Sequence, residues 1–286
     1  MTEKKFTDRE LEILSVRYRL KLLHYIKAAG AGHTGGSLSC TDILNVLYND
    51  VLNVSPENLS DNHRDRYIQS KGHSVEALYV ILADRGFFPE KELEQLCKYR
   101  SKFTGHPSRK VNGIEFNTGA LGHGLSISAG IALAGKKDQA PFRVFTLLGD
   151  GELAEGSNWE AAMVAGHYHL DNLTAIVDLN DLQITGPVRE VCNPYPIDDK
   201  FSAFGWRVTE TDGHSIPRLR ETLHHLPAEL GKPTLVIAHT IKGKGISFME
   251  HDKRWHHGVP SDEEYTRATE ELESELRRLT GFDDPS

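Results

Sequence analysis

The chain has 286 residues, 38% of them hydrophobic, and a formal net charge of −8. This is enough apolar material for one large domain or two small ones, and the negative charge, with basic runs no denser than Lys136-Lys137, argues against a nucleic-acid partner. The three cysteines, Cys40, Cys97 and Cys192, lack metal-ligand spacing and read as reduced thiols; with no apolar signal region and no membrane-length run, a cytoplasmic location and no membrane partner are expected.

The first predicted element is an amphipathic helix with Leu11, Leu14, Tyr18 and Tyr25 on one face, entered through a capping box at Thr7 and Glu10. Shorter helices are predicted near 41–50, 74–85 and 90–99, separated by glycine and proline loops. A small-residue helix near 124–136 leads into an apolar run, Val144 to Leu148, which ends in Gly149, Asp150 and Gly151. A helical segment from Ser157 to Leu170, with apolar residues at Trp159, Met163 and Tyr168, is followed by a second apolar run, LTAIVDLN, ending at Asn180. The stretch from Gln183 to Asp199 is rich in proline and polar residues and reads as a long functional loop. Strands WRVTET and TLVIAH flank a helix near 216–226, and a charged helix from Ser261 to Leu279 closes the chain. With no repeat or linker, residues 1–286 are expected to form one doubly wound α/β domain, a mostly parallel sheet flanked by helices and preceded by a helical segment.

The two apolar runs around the 157–170 helix form a right-handed βαβ unit. Parallel strands finish at the same sheet edge, so Asp150 and Asn180 are delivered side by side to the crevice where α/β folds bind ligands. A carboxylate and a side-chain amide converging there suit a hard cation, and the flanking glycines let backbone N–H groups approach a phosphate. The implied ligand is a diphosphate held through Mg²⁺ or Ca²⁺. Histidines in glycine-containing loops recur at AGHTGGSLS (His33), SKGHSVEALY (His73), TGHPSRK (His106) and WHHG (His256, His257), and Lys242 follows the strand TLVIAH in a KGKG loop. Any one of these histidines is most simply a turn residue bonded to backbone, and Lys242 a solvated charge, but loops on a rigid α/β scaffold are where binding groups collect.

GDG followed by Asn180 resembles the thiamine-diphosphate motif. AGHTGGSLS, SKGHSVEALY, NTGALGHGLSISAGIALA, HTIKGKGISF and WHHG occur in the order found in transketolases, from about Gly32 to Gly258. The departures are HTGG where relatives usually have GHPG, and DLND where many carry two adjacent Asn. The resemblance implies the diphosphate-binding half of a transketolase, with thiamine diphosphate and Mg²⁺ (or Ca²⁺) as cofactors. It implies Asp150, Asn180 and Leu182 at the metal, His73, Lys242, Gly151 and Asn180 at the cofactor, and Gly119 and Leu121 holding the aminopyrimidine through backbone. His33, His106 and His257 are implied as catalytic residues lining the channel to the thiazolium, with His256 a rival for the last role. Glu155 is read equally as a cofactor-proximal interface residue and as a first-turn acid favoured by the helix dipole.

The family's activating Glu lies on a pyrimidine-binding domain that nothing after Gly258 resembles. A split, two-chain transketolase is therefore expected, with a C-terminal subunit as partner, sugar phosphates as substrates and an α2β2 assembly. It would pass a two-carbon ketol unit from a ketose to an aldose through a dihydroxyethyl intermediate on the cofactor. Two alternatives share the motif: an α subunit of a 2-oxo acid dehydrogenase, against which the sugar-suited histidines argue, and a catalytically idle subunit of the same fold. A nicotinamide dehydrogenase would need G-x-G-x-x-G spacing, which GDGELAEG lacks. Pentose phosphates, apiose-derived sugars and sulfonated sugars all remain open as substrates.

Overall fold

Five parallel strands form the sheet in the order β1-β2-β3-β5-β4. The computed structural model describes residues 6–281; residues 1–5 and 282–286 of the expected 1–286 unit lie outside it. In chain order the elements are α1 (Asp8–Ala29), α2 (Thr34–Val46), β1 (Arg66–Gln69), α3 (Val75–Asp84), α4 (Gly124–Lys137), β2 (Val144–Gly149), α5 (Gly156–His167), β3 (Leu173–Leu179), α6 (Val188–Val191), α7 (Ile197–Ala203), β4 (Arg207–Asp212), α8 (Ile216–His224), β5 (Thr234–His239) and α9 (Asp262–Thr280).

Strands β2 and β3 are buried along their whole length, which is why they read as continuous apolar runs rather than alternating ones. Their side chains nonetheless divide by pleat. Phe145, Leu147, Ile176, Val236 and Ala238 enter a core built with α1, α2, α3, α8 and α9. Val144, Leu148, Ala175, Val177, Leu235 and Ile237 enter a second core with α4, α5 and α7. Helices thus cover both faces, as the doubly wound expectation requires. The capping box at Thr7 and Glu10 is present, and Leu11 and Tyr18 are fully buried under α1.

Several expectations need correction. The predicted 41–50 helix starts at Thr34, because Gly35 and Gly36 lie inside α2 rather than in a loop; it ends in a π turn at Leu47–Val51. The 90–99 segment is a 3₁₀ turn over Glu90–Gln95, stopped where Leu96 becomes extended and Cys97 takes φ 56°. The stretch read as a loop from Gln183 to Asp199 carries an isolated bridge between Leu182 and Pro187, the short α6 and the first turn of α7. In α5 the apolar residues that enter the second core are the small Ala161, Ala162 and Ala165, whereas Met163 on α5 is 54% and Tyr168, just past its end, 47% exposed. The four-residue β1 carries no periodic signal of its own and exists by pairing with β2.

Candidate active site

All five strands point their C-terminal ends at one edge, and each delivers a polar group there: β1 leads into Lys71 and His73, β2 into Asp150, β3 into Asn180, β4 into His214 and β5 into Lys242. Asp150 and Asn180 are both buried and adjacent, as their spacing predicts. Asp150 Oδ2 accepts from the backbone N–H of Asn180 (3.0 Å) and Asp181 (2.5 Å), and Oδ1 accepts from Gly151 N–H (2.8 Å). Asn180 Oδ1 accepts from Leu182 N–H at 3.2 Å, which fixes the turn that follows β3. Burial, reinforced by the charge of Asp178, pushes the Asp150 carboxyl up to about 6.

Beneath this edge lies a buried ion pair that sequence reasoning missed. Lys71 Nζ binds Asp178, which also accepts from Ser39 (2.6 Å) and Thr240, while Lys71 donates to the Gly36 carbonyl at 3.1 Å. Burial works against both charges, but the pairing outweighs it, holding Asp178 below the usual carboxylate range and Lys71 above the usual amine range. The pair knits α2 to the ends of β1, β3 and β5.

Lys242 is different. It is only 2% exposed, and its Nζ lies 3.3 Å from Nδ1 of His256. Burial and the nearby Lys71 charge lower it to about 8, against the pull of Asp150 and Asp178. A buried ammonium held by an imidazole and no carboxylate suits an anion at this position.

Five imidazoles gather beside it. His33, the N-cap residue of α2, is central, with ring centroids 4.6 Å from His257, 5.4 Å from His73, 5.8 Å from His256 and 5.9 Å from His106. His256 stacks on His73 at 5.0 Å. Adjacent residues of one 3₁₀ turn, Lys253–His257, thus both serve the cluster: His256 on the Lys242 side and His257 on the His33 side. Burial first, then the charges of neighbouring histidines and lysines, lowers His33 to about 4 and His256 to about 3, and drives His73 well below its usual value. Burial alone lowers His106. These four rings are neutral at pH 7, so each offers one donor and one acceptor. Nδ1 of His33 is buried without a partner, which suits a polar ligand in the cluster.

The loops around the histidines are tightly stacked. A Cβ at Gly119, at φ 140°, would lie 2.8 Å from the His106 ring, and one at Gly72 would lie 2.8 Å from Gly119 N; only glycine permits this approach. The Leu121 carbonyl sits 3.1 Å from His123 Nδ1. Glu152 pins this loop to the end of β2, accepting from Gly122 N–H (2.9 Å), Gly149 N–H (3.0 Å) and the Ser70 hydroxyl. Glu155 by contrast is exposed and caps α5 with no side-chain bond. Thr34 donates to the Gly258 carbonyl at 2.6 Å, a tether between α2 and the His256–His257 turn that a proline in its place lacks. Glu76 accepts from His33 N–H (3.2 Å) and the Ser37 hydroxyl (2.8 Å), and burial lifts it to about 7. Neither Glu76 nor Glu152 was singled out from the sequence: their partners are remote in the chain or supplied by backbone.

Comparison with known proteins identifies the family. A family profile described as "Transketolase, thiamine diphosphate binding domain" matches residues 13–282. An apulose-4-phosphate transketolase subunit from Phocaeicola vulgatus is 45% identical over 269 residues, covering 94% of this chain and 96% of its own length. The 6-deoxy-6-sulfo-D-fructose transketolase subunit of a Clostridium species is 40% identical over 254 residues, covering 88% of this chain and 92% of its own. The crystal structure of transketolase from Campylobacter jejuni superposes with a TM-score of 0.85 at 29% identity; the match covers 94% of this chain and 45% of that one. The chain therefore belongs to the transketolase family, as its thiamine-diphosphate-binding part.

Proposed function

We propose that this chain is the diphosphate-binding subunit of a two-chain transketolase, acting as one domain in the cytoplasm and passing a two-carbon ketol unit between sugar phosphates only when a pyrimidine-domain partner is bound. The observation that carries this reading is the convergence at one sheet edge of Asp150, Asn180 and buried Lys242 with five imidazoles. The relatives named as subunits match nearly full length, whereas the chain spans 45% of the Campylobacter jejuni enzyme. Met163 and Val164 on α5 and Tyr168 just past its end are exposed apolar side chains, Val164 lining a shallow depression with Leu133 of α4, and exposed apolar surface of this kind marks association sites.

The residues fit a metal diphosphate. Among the described residues no cluster of three or more His, Cys, Asp or Glu side chains is arranged to hold a metal alone. The cation would therefore draw on the Asp150 carboxylate, the Asn180 amide and the Leu182 carbonyl together with phosphate oxygens, as a Mg²⁺ or Ca²⁺ site with few protein ligands does. Lys242 and His73 serve the diphosphate, the Gly151 backbone lies beside it, and Gly119 and Leu121 present backbone to the aminopyrimidine. When bound, thiamine diphosphate supplies the electron sink for cleaving a carbon–carbon bond beside a carbonyl. His33, His106 and His257 hydrogen-bond sugar hydroxyls and stabilise the oxygen on which charge develops, in a crevice where such bonds are strong. Glu155, exposed at the start of α5 with no side-chain cap bond, is free to meet a partner near the cofactor.

The test is affinity capture of the chain from its native host with mass spectrometry of what accompanies it, followed by a ketol-transfer assay with Mg²⁺ and thiamine diphosphate. Transfer that needs a co-purifying chain with a pyrimidine-binding domain supports the reading, and the native mass of the complex reports whether it is α2β2. Transfer by this chain alone, or none by the complex across ketose phosphates, apiose-derived and sulfonated sugars, refutes it.

A further inference from the structure

Lys242 needs a fixed backbone as well as a burial site, because its segment leaves β5 and would otherwise run free over the crevice. One chain of buried hydrogen bonds reaches it from the far side of the fold. Arg19 on α1 holds Asp42 on α2 through two bonds, Nη1–Oδ1 at 3.0 Å and Nη2–Oδ2 at 2.6 Å. Asp42 Oδ2 lies 2.8 Å from Nδ1 of His214, in the turn after β4. Nε2 of His214 accepts from the backbone N–H of Ile241 at 2.8 Å. Arg19 and Asp42 are almost completely buried, and the His214 side chain is largely so.

This arrangement fixes the tautomer. A ring that accepts at Nε2 carries its proton on Nδ1 and donates it to Asp42. The carboxylate is in turn held ionised by Arg19: burial opposes the charge, but Arg19 and His214 pull Asp42 well below the usual range. The Ile241 amide is thereby clamped one residue before Lys242. On the other side Gly243 N–H donates to the Gly35 carbonyl (3.0 Å) and the Lys242 carbonyl accepts from His251 N–H (3.0 Å).

We propose that His214 is a positioning residue for Lys242: by accepting from Ile241 N–H while anchored to Asp42 and Arg19, it holds the post-β5 turn so that Lys242 meets the diphosphate. The proposal rests on reading Lys242 as a diphosphate contact. His214 itself touches no ligand; its effect passes through the backbone.

Two variants separate this role from support of the fold. His214→Gln keeps an acceptor near the Nε2 position and loses the donor to Asp42; His214→Asn keeps the donor near Nδ1 and loses the acceptor for Ile241. The purified complex, stripped of cofactor, is titrated calorimetrically with thiamine diphosphate plus Mg²⁺ and, separately, with thiamine. The expected result is near-normal thiamine diphosphate affinity for the Gln variant and a loss of about tenfold for the Asn variant, the scale of one buried hydrogen bond, with thiamine affinity unchanged in both. Normal affinity in the Asn variant overturns the proposal, as does an equal loss in both variants that tracks lowered melting temperatures. Should the variants not fold, hydrogen exchange in the unaltered complex decides: protection of the Ile241 amide matching that of the β5 amides supports the clamp, and free exchange overturns it. Lys242→Ala serves as the control for the underlying reading. If it binds thiamine diphosphate as well as the unaltered protein, the diphosphate assignment fails, whatever the His214 variants do.

Discussion

Replacing Lys242 by Met should make the cofactor-free protein more stable while removing its response to thiamine diphosphate. The magnitude follows from the environment of the ammonium. Burial beside Lys71 lowers it from the usual 10.5 to about 8, and at about 1.4 kcal/mol per tenfold change in proton affinity this costs the fold about 3 kcal/mol at pH 7. Met fills a similar volume without the charge. The sign is set by a folded-state pKa below the unfolded one. Below pH 8 both states carry the proton and the penalty is full; between pH 8 and 10.5 the folded state sheds it first and the penalty fades. In urea unfolding the Met variant should lead the unaltered protein by about 3 kcal/mol at pH 7 and by roughly 1.4 kcal/mol at pH 9.5. Saturating thiamine diphosphate with Mg²⁺ should reverse the order at pH 9.5 and nearly cancel the lead at pH 7, since ligand at about 100 times its Kd adds about 2.7 kcal/mol to a protein that binds it. A Met variant less stable at pH 7, or a lead that does not change with pH, would refute this account of Lys242.

Three further outcomes are expected. Glu76→Gln should stabilise the cofactor-free protein by about 3 kcal/mol at pH 8 and by under about 1 kcal/mol at pH 5, because a carboxyl raised to about 7 in the fold gives stability below its unfolded value and loses it as pH climbs through 7; equal unfolding midpoints at pH 8 would show that Glu76 is not the group responsible. Gly119→Ala forces a Cβ to 2.8 Å from the His106 ring at a backbone φ of 140° and should lower kcat/KM for ketol transfer by the complex about tenfold or more, the consequence of misplacing a substrate-facing group, with a stability loss of about 1–3 kcal/mol from the strained backbone; unchanged kinetics would remove His106 from the substrate channel. Asp150→Asn should abolish the gain in thiamine diphosphate affinity on adding Mg²⁺, and a retained Mg²⁺ dependence in calorimetry would disprove the metal assignment.

The parts of this site that were legible in the sequence are those whose signal is local. Val144 to Leu148 and LTAIVDLN are continuous apolar runs because both faces of β2 and β3 are covered, and the period of a βαβ unit then places Asp150 and Asn180 together. What failed was set by remote contacts. Gly35 and Gly36 look like helix breakers, yet a Cβ at Gly35 would lie 2.9 Å from the Lys242 side chain and 3.0 Å from the Trp255 carbonyl, so the first turn of α2 is glycine for close packing. Met163 and Tyr168 are large apolar residues of this segment, but the core takes the small Ala161, Ala162 and Ala165 of α5 instead. Lys71 and Asp178 stand 107 positions apart, Arg19, Asp42 and His214 come from three separate elements, and no window of sequence contains either set. His257 is preferred over the adjacent His256 in sequence only by the pattern of a His before Gly258, because spacing does not say which way a 3₁₀ turn points; here both face the cluster.

The distribution of buried charge explains why the edge reads as a site rather than as structural ballast. Two lysines and two aspartates meet at the strand ends, and a purely structural solution would pair them all. Lys71 and Asp178 do pair, with hydrogen bonds satisfying the remainder of the carboxylate. Asp150 and Lys242 instead face different neighbours, the first capped by three backbone N–H groups and the second by an imidazole. Each is thereby moved toward neutrality, Asp150 upward and Lys242 downward, a cost that the proposed metal diphosphate would offset by giving the carboxylate a cation and the ammonium an anion at once. The same reasoning bears on the carboxylate that would activate the aminopyrimidine. Glu76 is committed to His33 and Ser37, and Glu152 to Gly122, Gly149 and Ser70. The buried carboxylates nearest the histidines hold loops in place, which supports the proposal that the acid activating the aminopyrimidine comes from the partner chain. Full occupancy of the diphosphate end with no transfer until that chain is added is the behaviour this division of labour requires.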